Sequence, residues 1–235
     1  ASWTKGKRSS SYTNTVMDIT SPTLTIPATD GSNAVADGAT TNDATLTVTF
    51  TATEATSNFT AADITIFGGS ITNFTAISST VYTATFTPSS NPNSSDVTVT
   101  TIDVVENKFT DAFGNNNRSA DQFNWTYDNV GPTMTIVAEG YNSGTAVSDG
   151  ASTSDAKLIV KFNSSESTSN FSEADITVSG GVLSDFTATT TAVYNAIFTP
   201  SAVGATTIDV AANTFTDAVG NNNTAATQFN WTYKT

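Results

Sequence analysis

Apolar and polar residues alternate along most of this chain. In "DATLTVTFTA", Leu46, Val48 and Phe50 alternate with threonines, and "DAKLIVKF" repeats the arrangement with Leu158, Val160 and Phe162. "VYTATFTP", "DVTVTTIDV" and "FNWTY" continue it. A period of two is the signature of a strand with one face buried. Turn signals at Asp37-Gly38, Gly68-Gly69, Asn91-Pro92 and Gly114-Asn115 separate these runs roughly every 8 to 14 residues. No apolar stripe of period 3.6 reaches helical length, so the pattern predicts an all-β protein of short antiparallel strands.

The pattern is written twice. "SNFTAADITIFGGSITNFTAISSTVYTATFTPS" (Ser57 to Ser89) returns as "SNFSEADITVSGGVLSDFTATTTAVYNAIFTPS" (Ser169 to Ser201). Asn58 maps to Asn170, Asp63 to Asp175 and Tyr82 to Tyr194, a shift of 112 residues. Beyond "FTPS" the shift falls to 106, so that Asp103 maps to Asp209, Asp111 to Asp217 and Trp125 to Trp231. The missing residues fall at "SNPNSSD", which must be a loop, because a strand cannot lose them without losing its pairing. Each unit, about 105 to 110 residues long with about seven strands, has the size of a two-sheet β-sandwich. The expected division is a tail over residues 1–20 and units over 21–128 and 129–235. Phe123 and Trp125, like Phe229 and Trp231, fall on one face of the last strand of each unit and are expected in the core.

Composition narrows the chemistry. Cys and His are absent from the 235 residues, which removes thiol catalysis, Ser-His-Asp triads and Cys/His zinc sites. The net charge of −13 disfavours sequence-independent nucleic-acid binding and makes hard cations the natural partners. No run is long and apolar enough to cross a membrane as a helix. The chain opens on Ala1 rather than Met and reads as a processed or excised piece.

The two units resemble the bacterial Ig-like repeats that stand in tandem in large surface proteins and adhesins. The likeness rests on a strand ending near Glu54 or Glu166, the "ADIT" segments at Asp63 and Asp175, the "GG…NF/DF" hairpins, "VYTATFTP"/"VYNAIFTP" and above all "TDAFGNNN"/"TDAVGNNN". It covers about Ser21 to Tyr233. It implies two tandem Ig-like sandwiches and an extracellular, non-enzymatic spacer or adhesive role. It also implies calcium where one repeat meets the next. "TEATSNF" and "SESTSNF" depart from the family pattern in being rich in Ser and Thr.

Several acids recur in both units at strand ends: Asp37 with Asp149, Asp43 with Asp155, and Asp111 with Asp217. Asp18 and Asp128 precede the units at matching positions in "DITSP" and "DNVGP". Calcium takes six to eight oxygens from carboxylates, amides and backbone, a mixture that loops supply. The sequence therefore suggests a Ca2+ site joining Asp128, Asp111 and Asn116 to Asp149 or Asp155 and restricting bending between the units. The same residues equally make Asx-turns. Lys234 stands where Asp128 stands one unit earlier, so this junction is not repeated at the second end. Every prominent acid has a twin, which suits repeated architecture better than one glycosidase site.

Sequons occur at Asn58, Asn73, Asn93, Asn117, Asn124, Asn163, Asn170, Asn222 and Asn230. Those expected in loops or on open faces, Asn93, Asn117, Asn222 and Asn163, are the glycosylation candidates. The segment "ASWTKGKRSSSYTNTVMD" belongs to neither unit and carries Lys5, Lys7 and Arg8. It reads either as a tail or as a strand lent to a neighbour. The competing function is thus a subunit of an extracellular filament, sheath, surface layer or virion joined by β-strand addition. A third is a carbohydrate-binding module using Tyr141 in "EGYNSG". Partners are then neighbouring repeats, copies of the chain itself, or cell-surface glycans.

Overall fold

The computed structural model describes residues 17–56, 58–89 and 97–235. Residues 1–16 of the N-terminal segment, the "SNPNSSD" loop and the Asn93 sequon therefore lie outside the described residues. The first repeat comprises β1 (Leu24–Thr25), β2 (Ala28–Thr29), β3 (Ala34–Val35), β4 (Ala39–Thr41), β5 (Leu46–Ala52), β6 (Thr65–Phe67), β7 (Gly69–Ala76), β8 (Val81–Pro88), β9 (Thr98–Asp103) and β10 (Phe123–Tyr127). The second comprises β11 (Met134–Gly140), β12 (Ala146–Val147), β13 (Ala151–Thr153), β14 (Leu158–Ser164), β15 (Ile176–Ser179), β16 (Gly181–Ala188), β17 (Val193–Pro200), β18 (Gly204–Val210) and β19 (Phe229–Tyr233). Each repeat has two sheets. They run β3-β2-β5-β8-β7, with β1 also on β5, and β4-β10-β9-β6 in the first repeat; β12-β11-β14-β17-β16 and β13-β19-β18-β15 follow in the second.

One pairing departs from the all-antiparallel expectation. β4 pairs with β10 in parallel, and β13 with β19 likewise. The cause is local. After β3 or β12 the chain turns at Gly38 or Gly150, both at φ +76°, and crosses to the other sheet before pairing again. A left-handed backbone is cheap only for glycine. The aspartate before each glycine secures the crossing: Asp37 Oδ1 accepts from Asn124 N–H (2.7 Å), and Asp149 Oδ1 from Asn230 N–H (2.7 Å). A second departure is the split of the first strand into β1 and β2. Pro27, which has no N–H to give the ladder, interrupts it where Val137 lets β11 run unbroken.

The inward faces are apolar, as the alternation predicts. In the second repeat Leu158, Val160, Phe162, Tyr194, Phe198, Ile208, Phe215, Phe229 and Trp231 form one buried cluster. Phe171, in the loop after β14, is its hub, with ring centroids 4.9 Å from Tyr194 and from Phe215 and 5.8 Å from Phe162 and Phe186. Phe59 does the same in the first repeat, at 4.9 Å from Phe109, 5.1 Å from Tyr82 and 5.6 Å from Phe50 and Phe74. Trp125 and Trp231 are both buried. The indole N–H of Trp125 donates to Thr41 Oγ1 at 3.1 Å, whereas that of Trp231 has no partner. Its counterpart threonine, Thr153, donates its hydroxyl to Asp155 Oδ2 instead (2.7 Å).

Gly181 lies flat against this core. A methyl group there would overlap the Phe198 ring and stand 2.5 Å from the Thr199 carbonyl oxygen. Gly181→Ala is therefore expected to destabilise the second repeat by about 1–3 kcal/mol. A thermal melt checks it; an unchanged melting temperature contradicts the packing described.

Candidate functional site

The chemically distinctive feature of each repeat is a group of three carboxylates. Asp18, Glu54 and Asp111 form one, and Asp128, Glu166 and Asp217 the other; within each, one oxygen per residue lies within 4.8 Å of the others. The two groups are counterparts. Each takes one acid from the segment entering the repeat, one from the loop after β5 or β14, and one from the "TDAxGNNN" turn.

The fold brings these segments together by specific bonds. The loop after β14 is zipped to the asparagine turn by an isolated antiparallel bridge between Thr168 and Asp217. Ser169 N–H donates to Thr216 C=O (3.1 Å), and Thr216 N–H to Asn170 Oδ1 (2.8 Å). The hydroxyls of Tyr194 and Thr168, 2.6 Å apart, tie the loop to β17. In the first repeat the Tyr82 hydroxyl donates to Thr56 C=O (2.9 Å), and a Thr56–Asp111 bridge stands in the same place. The entering segment is held from the turn: Asn221 Nδ2 donates to the carbonyls of Asp128 (2.9 Å) and Val130 (3.3 Å), and Thr224 N–H to Pro132 C=O (3.0 Å).

The turn is rigid because its amides are saturated. Asp217 Oδ1 accepts from the N–H groups of Val219, Gly220 and Asn221 at 2.7 to 2.9 Å, and Oδ2 from Asn221 Nδ2 at 2.9 Å. Asn223 is buried and uses its whole side-chain amide. Its Oδ1 accepts from Thr214 and Phe215 N–H (2.8 and 3.0 Å), and its Nδ2 donates to Ala211 and Thr224 C=O (2.8 and 2.9 Å). Asn117 is its twin, with the same four bonds to Lys108, Phe109, Val105 and Arg118.

Electrostatics set the central glutamate apart. Burial, reinforced by the charges of Asp18 and Asp111 and a hydrogen bond to Asp111, pushes the Glu54 carboxyl above its ordinary value of 4.5. Burial and the charges of Asp128 and Asp217 do the same to Glu166. Burial also pushes Asp111 up, but hydrogen bonds from Asn115, Phe113 and Gly114 outweigh it and hold the carboxyl below its ordinary 3.8. Glu54 Oε1 is buried without a hydrogen-bond partner. Three acids at this spacing repel one another, and oxygens coordinating one calcium at 2.3–2.6 Å stand at most about 5 Å apart. The donor set is hard oxygen throughout, which fits that ion.

The acids singled out from the sequence separate into two roles. Asp128 and Asp217 come together, while Asp111 belongs to the other group. Asp37 and Asp149 anchor the sheet crossings, and Asp155 accepts from Thr153. Asp43 N–H donates to Thr41 Oγ1 at 3.3 Å, and Asn116 donates from its side chain to Asn107 Oδ1 at 2.9 Å. The acids thus group within a repeat rather than in the set Asp128, Asp111, Asn116 with Asp149 or Asp155. Glu54 and Glu166, absent from that set, complete the groups; their place two residues after a repeated strand was the available signal. One glycosylation candidate is corrected: the Asn117 amide is buried and fully bonded, so it is no exposed loop acceptor. Asn222 is exposed, and Asn163 is half-buried in β14 between β11 and β17.

The fold and the paired sites define a tandem Ig-like β-sandwich protein. The sequence profile of the bacterial Ig-like domain family matches residues 18–127 and 128–233, and the chain belongs to that family. No curated protein matches the chain. Among solved structures, invasin, a bacterial integrin-binding protein, is 15% identical over 91% of this chain and 40% of its own, with a TM-score of 0.43. InvD of Yersinia pseudotuberculosis is 15% identical over 92% of this chain and 58% of its own (TM-score 0.37). The adhesin InvE of the same organism is 13% identical over 90% and 59% (TM-score 0.31). The chain thus spans 40% to 59% of these structures' lengths.

Two outcomes follow from the site. Asn223→Ala empties a buried site and removes four bonds, one of them to the buried Phe215, and is expected to cost about 1–3 kcal/mol, read from denaturant unfolding. The raised carboxyls set a pH dependence. Folded Glu54 and Glu166 bind protons that the unfolded chain releases, so in chelator stability rises as pH falls from neutral toward 4.5. The opposite contribution of Asp111 falls below 3.8. Glu54→Gln with Glu166→Gln is expected to raise the melting temperature in chelator at neutral pH and flatten that slope; a melt that keeps the wild-type slope contradicts this account.

Proposed function

We propose that this chain is a non-enzymatic repeat segment of an extracellular or cell-surface protein, a stalk or adhesive spacer, in which each repeat holds a calcium ion at the pole where the chain enters it. Membership of the bacterial Ig-like domain family supports the repeat-module reading. Duplication argues against catalysis, because the acids occur as two matched groups rather than one asymmetric cleft.

The observation that carries the calcium reading is the group Asp128–Glu166–Asp217. Asp128 directly follows the last residue of β10 and is buried with Asp217. A cation there would neutralise three mutually repelling charges and tether the connecting segment to the asparagine turn. Asp18, Glu54 and Asp111 would do the same at the entry to the first repeat. Calcium suits these loops better than magnesium, whose strict octahedral shell is dehydrated reluctantly.

Calorimetric titration of the whole chain with calcium, beside thermal melts in chelator, tests the proposal. Two ions are expected per chain, and the gain in stability is about 2.7 kcal/mol once free calcium reaches a hundred times the dissociation constant. Asp217→Asn is expected to remove one of the two binding events. Absence of heat together with identical melts in calcium and chelator would end the calcium reading.

A further inference from the structure

The two repeats are most alike inside and least alike on one outer face. On β5 and β8 the inward residues are Leu46, Val48, Phe50, Tyr82, Ala84 and Phe86. On β14 and β17 Leu158, Val160, Phe162, Tyr194, Ala196 and Phe198 repeat these six in kind, and only the inward Ala52 at the end of β5 is replaced, by Ser164. The outward residues of the same strands differ sharply. In the first repeat they are threonines, among them Thr47, Thr49, Thr83 and Thr85; in the second those four positions hold Ile159, Lys161, Asn195 and Ile197.

The replacements form one patch. Ile159 lies between Glu139 on β11 and Ile197 on β17, and Lys161 between Val137 and Asn195. Val137 is 45% exposed where the first repeat has Pro27. Next along the sheet, Lys157 Nζ stands 6.0 Å over the ring of Tyr141, which is 47% exposed. An apolar centre is therefore flanked by charges of both signs on a protein whose other copy of this face carries Pro27 and threonines.

From this we infer that the outer face of β11–β14–β17 is a docking surface for a second copy of the same chain, seated through the same face. A patch that meets its own copy across a two-fold axis must be self-complementary. This one is, since Lys161 of one copy can meet Glu139 of the other while Val137, Ile159 and Ile197 cover one another. A purely acidic or purely basic partner would find a wrong charge on it. A contact confined to these few side chains belongs among weak, transient ones rather than with stable complexes that bury roughly 800 Å2 per partner. The net charge of −13 opposes pairing until salt screens it. Such a contact suits lateral association of many copies, where weak bonds act together.

Sedimentation velocity of the full chain in chelator, from about 10 µM to about 1 mM at physiological salt, tests this independently of calcium. A reversible dimer is expected at the upper concentrations. Ile159→Thr with Ile197→Thr installs the residues that the first repeat carries at Thr47 and Thr85, so the fold is expected to tolerate it; dimerisation should weaken at least about tenfold with the cooperative melt retained. Glu139→Lys and Lys161→Glu should each weaken the dimer, and the two together should restore it. A wild-type chain that stays monomeric at the highest concentration, a dimer indifferent to the threonine pair, or charge reversals without mutual rescue would each overturn the proposal.

Discussion

The rest of each repeat depends on one aromatic ring inserted from a loop. Phe171 reaches into the core from the segment that also carries Glu166, and it packs against Phe162, Phe186, Tyr194 and Phe215. Phe215 lies two residues before Asp217. The same buried contact that closes the sandwich therefore fixes the turn and the loop that bring their carboxylates together. Phe59 repeats the arrangement beside Asp111 and Glu54. Aromatic rings of this size contribute much of a small core's burial, so the site is positioned by the most strongly stabilised part of the fold.

Saturated hydrogen bonding makes that position rigid. The buried side chains of Asn117 and Asn223 each bond four backbone groups, and Asp217 collects three backbone amides on one oxygen. A turn built this way resists rearrangement because opening it breaks several bonds at once and leaves the buried asparagine amide unpaired. In the first group Glu54 Oε1 remains without a hydrogen-bond partner, and in both groups the glutamate is forced close to two other acids. The stabilising core thus holds a locally unfavourable concentration of charge, the condition under which a bound cation contributes most.

Duplication separated scaffold from surface. Six inward residues on two strands are identical between the repeats, while the outward residues changed from threonine to isoleucine, lysine and asparagine. Packing explains the asymmetry: a core position is fixed by volume on every side, whereas an outward position answers only to solvent and partners. The loop between β11 and β12 shows the same freedom at smaller scale.

The alternation of Leu46, Val48 and Phe50, the repeat shift and the aromatic endings made the sandwich, its duplication and its core legible from the sequence alone, because a period of two has one solution when a face must be buried. The turn chemistry of "TDAFGNNN" was legible too, although its asparagine proved to be an internal brace rather than an acceptor site. The grouping of Glu54 and Glu166 was not, since their place just after a repeated strand does not say which acids from segments far away along the chain will meet them. Neither was the parallel pairing of β4 with β10 and of β13 with β19, which depends on a strand changing sheets. Sequence determined what each segment is; which carboxylates meet was decided only by the closure of two sheets around Phe59 and Phe171, because that contact acts across the whole repeat and leaves no local pattern.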